Sequence, residues 1–132
     1  MLTRMTVATR RRETLEEITE RVAEVVRASG VRDGVCHVIL PHTTAGITVN
    51  EAADPAVAAD ALNYLAELVP REGMWLHAEG NSDAHIKAAL VGHSAAIAIE
   101  NGELVLGTWQ GIFVAEFDGP RARTVLIKVM AG

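Results

Sequence analysis

"AAIAIENGELVLGTWQGIFVAEFDGPRARTVLIKV", residues 95 to 129, decides the fold. Its pattern repeats every two residues, the period of a strand and not of a helix. Residues 95–100, 103–109, 112–117 and 124–129 each read as one strand. Asn101-Gly102 is a strong hairpin signal, and Asp118-Gly119-Pro120 marks a second turn. Four strands with short links predict an antiparallel meander. "LVLG" and "IFVAEF" within it are apolar on both faces. An antiparallel sheet commonly keeps one wet face. Something must therefore cover the second face: another copy of the chain, or a layer formed by the N-terminal strands.

Upstream, helices and strands alternate. Residues 2–10 read as a first strand. Thr14-Leu15-Glu16-Glu17 matches a capping box, and Leu15, Ile18, Val22 and Val25 follow at helical spacing, so a helix is predicted over 15–28 with Gly30 as its stop. "GVCHVIL" and "GITVNE" read as two more strands. Asp54-Pro55 opens a second helix that runs to Pro70. Ser82 or Asp83 would cap a short third helix through Val91. The prediction is one α+β domain over 1–132. Two main helices and a short one pack on a largely antiparallel β-sheet sandwich that ends in the meander.

Composition narrows the functional classes. Of the 132 residues, 49% are hydrophobic, enough for a real core. The formal net charge of -5 argues against a broad nucleic-acid surface. Cys36 is the only cysteine, so no disulfide forms within the chain, and its apolar run "VCHVIL" reads as core. No stretch has the length of a membrane span or a signal peptide's apolar region, which points to a cytoplasmic protein with no membrane partner.

Chemistry-bearing residues collect in three places. His42 follows Pro41 at a strand end, with Thr43 and Thr44 beside it and Gly46 allowing a close approach to the backbone. "WLHAEGNSDAHIK", residues 75–87, brings His77, Glu79, Asn81, Asp83, His85 and Lys87 into one short stretch. His77 and His85 are eight apart, not the spacing of one helix face. With His42 they could supply three nitrogens and leave a position open, as in a catalytic zinc site; scattered histidines are the plainer alternative. Glu51, Asp54, Glu79 and Asp83 could orient imidazoles, hold Mg²⁺ or move protons, with helix capping the ordinary role for the two aspartates. Asn50 and Asn81 are turn formers or pocket amides. Lys87, Arg121 and Arg123 are candidate anion-binding groups, since the chain has no Walker loop and no dinucleotide fingerprint. Trp109 could stack a flat heterocycle while Gln110 bonds its edge. Glu116 shares a strand face with Ile112 and Val114, where an acid needs a partner or a task.

"HTTAGITVNEAADPAVAAD", "HAEGNSDAHIKAAL" and "GELVLGTWQGIFVAEFDGPRAR", in that order between residues 42 and 123, resemble the YjbQ family, also known as secondary thiamine-phosphate synthase. Trp75 stands where a tyrosine is often found, and His93 where a small residue is. The resemblance implies a small α+β homotrimer. It also implies a pocket built from His42, Asn50, Glu51, His77, Glu79, Asn81, His85, Lys87, Trp109, Gln110 and Glu116. His42, His77 and His85 would hold a divalent metal, zinc first, with magnesium an alternative beside a diphosphate substrate. Glu51, Glu79, Lys87 and Glu116 would be catalytic. Asn50, Asn81, Trp109, Gln110, Arg121 and Arg123 would bind substrate. The implied reaction joins an aminopyrimidine methyl diphosphate to a thiazole phosphate, as a secondary activity. A metal-dependent phosphate-ester hydrolase and a non-catalytic trimer binding a metal or an anionic metabolite are the alternatives.

Overall fold

The computed structural model describes residues 1–132. In chain order the elements are β1 (Leu2–Ala8), β2 (Thr14–Glu17), α1 (Thr19–Ser29), β3 (Gly34–Ile39), β4 (Ala45–Glu51), α2 (Pro55–Leu68), α3 (Ser82–Val91), β5 (Ser94–Glu100), β6 (Glu103–Leu104), β7 (Gln110–Glu116) and β8 (Ala122–Ala131). One sheet has the order β1-β8-β3-β5-β6 and the other β2-β7-β4. Every strand pair is antiparallel. The α+β sandwich with three helices is as the sequence predicts.

The meander does not form. Asn101 and Gly102 both take positive φ and close the β5–β6 hairpin as their residue types demand. β6 then stops after two residues. The chain crosses to the other sheet for β7, which pairs with β4 and β2, and returns for β8 between β1 and β3. Each sheet thus receives an interior strand from the C-terminal third, β7 at the centre of the smaller sheet and β8 between β1 and β3 of the larger. β7 is flanked on both edges and covered on both faces, which is why "IFVAEF" is so apolar, while β8 turns Val125 and Ile127 to the core. Ile112 and Val114 of β7 point into the core between the sheets, with Val38, Ile47, Ile97, Val125 and Ile127. Ala115 and Phe117 pack on the outer side against Ala84 and Ala88 of α3. The two-sided apolarity of "IFVAEF" is satisfied within one chain, by the other sheet on one face and by α3 on the other.

The first helix also starts later than expected. Residues 14–17 are strand, paired with Phe113–Glu116 at the edge of the smaller sheet. The acids of the supposed capping box are engaged elsewhere. Glu16 accepts from the backbone and guanidinium of Arg10, and Glu17 from the Thr19 hydroxyl. Covering an open ladder on β7 outweighs a weak local helix preference. From Thr19 on, Val22, Ala23 and Val26 bury one face of α1, and Gly30 at φ 74° ends it. Asp54 caps α2 as expected, its carboxylate accepting from Ala56 N at 2.9 Å. Yet α2 buries none of its residues. Leu62 and Leu65 only partly reach the α3 cluster, and Tyr64 and Leu68 face outward. Helix α2 does not serve as a main cover of either sheet.

Candidate functional site

Three segments enclose a polar cleft of about 360 Å³: the β3–β4 loop, the approach to α3, and the turn into β8. His42, Thr43 and Thr44 come from the first, Glu79, Asn81 and His85 from the second, and Asp118, Arg121 and Arg123 from the third; Pro41 completes the wall. A second hollow joins His42 and His85 to His93 and the end of α3. Gly46 belongs to this geometry through its contact with the end of α3. A β-carbon there would lie 2.5 Å from the Gly92 carbonyl, so glycine lets the end of α3 settle on β4.

The floor of the cleft is a buried ion pair. Glu116 is wholly enclosed. It accepts from Thr9 Oγ1 at 2.8 Å, from the backbone N–H of Phe117 and Asp118, and from Arg123 Nε at 2.8 Å and Nη2. Burial opposes its charge, but Arg123 and these other donors more than compensate, so its pKa lies below the ordinary carboxylate value. Arg123 Nη2 also donates to Thr44 Oγ1 at 2.8 Å. Nη1 is the one guanidinium nitrogen with no bond within the protein, and Arg123 lines the cleft. Glu116 thus holds Arg123 and does not touch the cleft itself.

His42 stands over this floor. The Thr124 N–H donates to its Nε2 at 2.9 Å, so the neutral ring carries its proton on Nδ1. Burial first, then the charge of Arg123, lowers its pKa. His42 is therefore a neutral hydrogen-bond donor at pH 7. Arg121 donates to the backbone oxygen and carboxylate of Asp118. It is half exposed and can turn toward an incoming anion.

Lys87 and Asp83 lie elsewhere than the sequence suggests. Asp83 caps nothing: Asn81 holds the N-cap position of α3 and makes no side-chain cap bond. Asp83 is buried and takes Arg12 Nη2 at 3.1 Å and Lys87 Nζ at 2.8 Å. Burial opposes the Asp83 charge, but the two cations outweigh it and lower its pKa. Lys87 completes the cluster with Glu13 at 2.8 Å. Its ammonium is buried and engaged, so it cannot meet an anion in the cleft. The cluster instead ties residues 12–13 to the helix that carries His85. Arg12 and Glu13 carried no sequence signal, because nothing local shows that a basic run will end beneath α3. Thr9 and Thr44 were equally hard to foresee as carboxylate and guanidinium partners.

The expected metal ligands converge only in part. The His77 and His85 rings are 5.4 Å apart in a T-shaped contact. Glu79 lies 3.7 Å from His77 Nε2. The two rings share an apolar hollow of about 510 Å³ with Met74, Trp75, Leu76 and Ile86. His42 is held instead against Thr124, and no three His, Cys, Asp or Glu side chains are grouped to hold a metal ion. One chain does not offer a three-nitrogen zinc site.

The remaining candidates sit at the far end of β7. Asn50 and Glu51 pair with Gly111 and Gln110, while Ala45 pairs with Glu116. The seven residues of β7 separate these two groups by about 20 Å. Trp109 is exposed there and its carbonyl accepts from Ala52 N. The Gln110 amide oxygen folds back onto Gly107 N at 2.8 Å, and the Glu51 carboxylate onto Ala53 N. Asn50, Glu51, Trp109 and Gln110 therefore form a second group, apart from the His42 cleft in the same chain. Cys36 is core as expected, with burial pushing its thiol up to about 11. No helix is long and apolar enough to cross a membrane.

Comparison with known proteins places the chain among relatives of the same fold. The chain is 50% identical over 130 residues to UPF0047 protein MJ1081 of Methanocaldococcus jannaschii, covering 98% of this chain and 94% of that one. It is 46% identical to UPF0047 protein YugU of Bacillus subtilis, covering 98% and 99%. A YjbQ/UPF0047 family crystal structure from Clostridium acetobutylicum superposes with a TM-score of 0.96 at 51% identity, over 97% of this chain and 99% of that one. A YbjQ-like protein of Sulfolobus solfataricus gives 0.96 at 32% identity, over 100% and 97%. The family model described as "UPF0047 protein YjbQ-like" matches residues 3–132, and the chain belongs to the YjbQ/UPF0047 family.

Proposed function

We propose that this protein is a cytoplasmic transferase acting on small phosphorylated metabolites. Its reaction would couple an aminopyrimidine methyl diphosphate to a thiazole phosphate, as a secondary activity. The observation that carries the phosphate reading is the polar cleft in which His42, Arg121 and Arg123 present donors together. In this coupling the bond from the methyl carbon to the diphosphate oxygen breaks. The thiazole nitrogen then forms a bond to that carbon. The protein's task is to hold the departing oxygens and place the nitrogen, with no covalent nucleophile. Arg121 and the free nitrogen of Arg123 would take the phosphate oxygens. His42 would donate a hydrogen bond from Nδ1–H to the oxygen that leaves, keeping its proton. Glu79 and His85 would face the organic portion. No step is assigned to a metal, since one chain lacks the third ligand.

The protein acts as a homotrimer in this proposal. Apolar side chains left outside support it: Tyr64 and Leu68 on α2, Met74 and Leu76 beyond it, then Val105 and Trp109. Trp109, Gln110, Asn50 and Glu51 could meet a His42 cleft only when another copy supplies them. Incubation of purified protein with both precursors, and with each alone, tests the reaction. Coupled product supports the transferase. Phosphate released from one precursor makes it a hydrolase, and binding without turnover makes it a carrier.

A further inference from the structure

We infer that Arg12, which lines neither the polar cleft nor the hollow beside it, is the positioning residue that holds two walls of the cleft in register, and that anion binding depends on it. The second half rests on reading the cleft as a phosphate site. One wall is the turn into β8, with Asp118, Arg121 and Arg123; the other is α3 and its approach, with Glu79, Asn81 and His85. Residues 9–12 run along the first wall. Thr9 N–H donates to the Arg121 carbonyl at 2.9 Å, and its hydroxyl accepts from Arg121 N–H at 3.0 Å. The Arg12 carbonyl accepts from Gly119 N–H at 3.0 Å. The side chain of the same residue crosses to the other wall. Its Nη1 and Nη2 donate to the two carboxylate oxygens of Asp83, at 3.3 and 3.1 Å. Asp83 lies in the first turn of α3, the helix that carries His85. Arg12 thus grips one wall with its backbone and the other with its guanidinium.

A cation alone does not explain this residue. Asp83 already has the Lys87 ammonium at 2.8 Å. The Arg12 Nε is left buried with no partner, a cost that a lysine would not carry. What the guanidinium adds is direction. A planar fork on two carboxylate oxygens fixes the angle of approach as well as the distance. That angle matters because the carbonyl of the same residue is tied to the opposite wall. A direct bond from Asn81 Nδ2 to Asp118 Oδ2 also joins the walls. It is a single contact between two side chains that can turn, and it sets no angle.

Arg12→Lys keeps the charge and removes the fork, so it separates position from charge. Without ligand, amide exchange followed by NMR should show the Gly119 N–H, on the wall opposite Asp83, exchanging about ten-fold faster. The Ile127 amide in the core and the urea midpoint should stay in place. Calorimetric titration with inorganic diphosphate should show binding weakened about ten-fold. Unchanged Gly119 exchange overturns the brace between the walls. Faster exchange with unchanged diphosphate affinity overturns the dependence of binding on it. A urea midpoint that falls in step with affinity makes Arg12 a merely structural residue and overturns the inference. If the unaltered protein does not bind diphosphate, the phosphate reading falls, and the exchange measurement alone decides the role of Arg12. Should the lysine variant not fold, native-state exchange of the unaltered protein replaces it. The Gly119 and Lys87 amides should then open in one event with the same urea dependence, and separate openings overturn the brace.

Discussion

His42 shows how one backbone contact sets a side chain's chemistry. The Thr124 N–H occupies Nε2, and burial with Arg123 disfavours a second proton. A histidine with a lowered folded pKa stabilises the fold fully above its ordinary value of 6.5. As pH falls below 6.5 the unfolded chain takes up the proton first, and stability drops until the folded value is passed. The melting temperature should therefore fall between pH 7 and pH 5. The fall should be smaller in His42→Gln, whose amide oxygen can still accept from Thr124. Glu116 titrates lower. Its pKa is depressed, so its contribution is present above about 4.5 and is lost as pH falls through the folded value. Arg123→Met leaves that buried carboxylate without its guanidinium. Urea unfolding should show a loss of about 3–5 kcal/mol, the effect of breaking a buried pair from one side. His77 and His85 make a separate residue-scale case. Whatever zinc the protein takes up in equilibrium dialysis should fall alike in His77→Ala and His85→Ala. It should change less in His42→Ala, because the Thr124 N–H already occupies His42 Nε2.

Helix α3 is where local signals and tertiary contacts diverge most. An exposed cap at Asp83 would be worth about 1 kcal/mol. The carboxylate is instead enclosed between Arg12 and Lys87. Asp83→Ala leaves the buried Lys87 ammonium with Glu13 as its one remaining partner, and the expected cost rises above that of a cap to about 3 kcal/mol in chemical denaturation. A loss near 1 kcal/mol would return Asp83 to the role of a cap. The same contacts settle what Lys87 does. Buried against Asp83 and Glu13, it orients the helix that presents His85. Strand β2 gives the complementary lesson. Its residues carry a helix-start pattern and form a strand because β7 needs an edge partner.

Over the whole molecule, the surface left apolar has moved from where the sequence pointed. The strand "IFVAEF" is covered on both faces by its own chain. Exposed apolar area lies on α2, at Met74 and Leu76, and around Val105 and Trp109. Multi-angle light scattering at micromolar concentration should give three times the mass of one chain. Tyr64→Asp combined with Leu68→Asp should shift the protein toward monomer without unfolding it, since neither residue is part of the core. A stable monomer of the unaltered protein would remove the trimer. It would also leave the Trp109 group with no route to the His42 cleft.

Most of the strands, the end of α1, the Asp54 cap of α2 and the Asn101-Gly102 turn were legible because each rests on local periodicity, dihedral preference or a cap a few residues away. The His42 loop and residues 77–85 were legible as chemistry because their residue types are costly to place without a role. The order of strands was not legible. β7 and β8, interior strands of different sheets, come from one continuous stretch, and only the demand to cover two sheets tells them apart. Nor could spacing show that Lys87 and Glu116 would be buried, that Asn81 would turn to Asp118 and leave its oxygen unpaired, or that Trp109 would lie about 20 Å from the His42 end of β7. Sequence determines which groups the chain can bring to a site. Which of them are charged, satisfied or free also depends on partners as far as 71 and 107 residues away, as Arg12 is from Asp83 and Thr9 from Glu116, and those meet only when the sheets close.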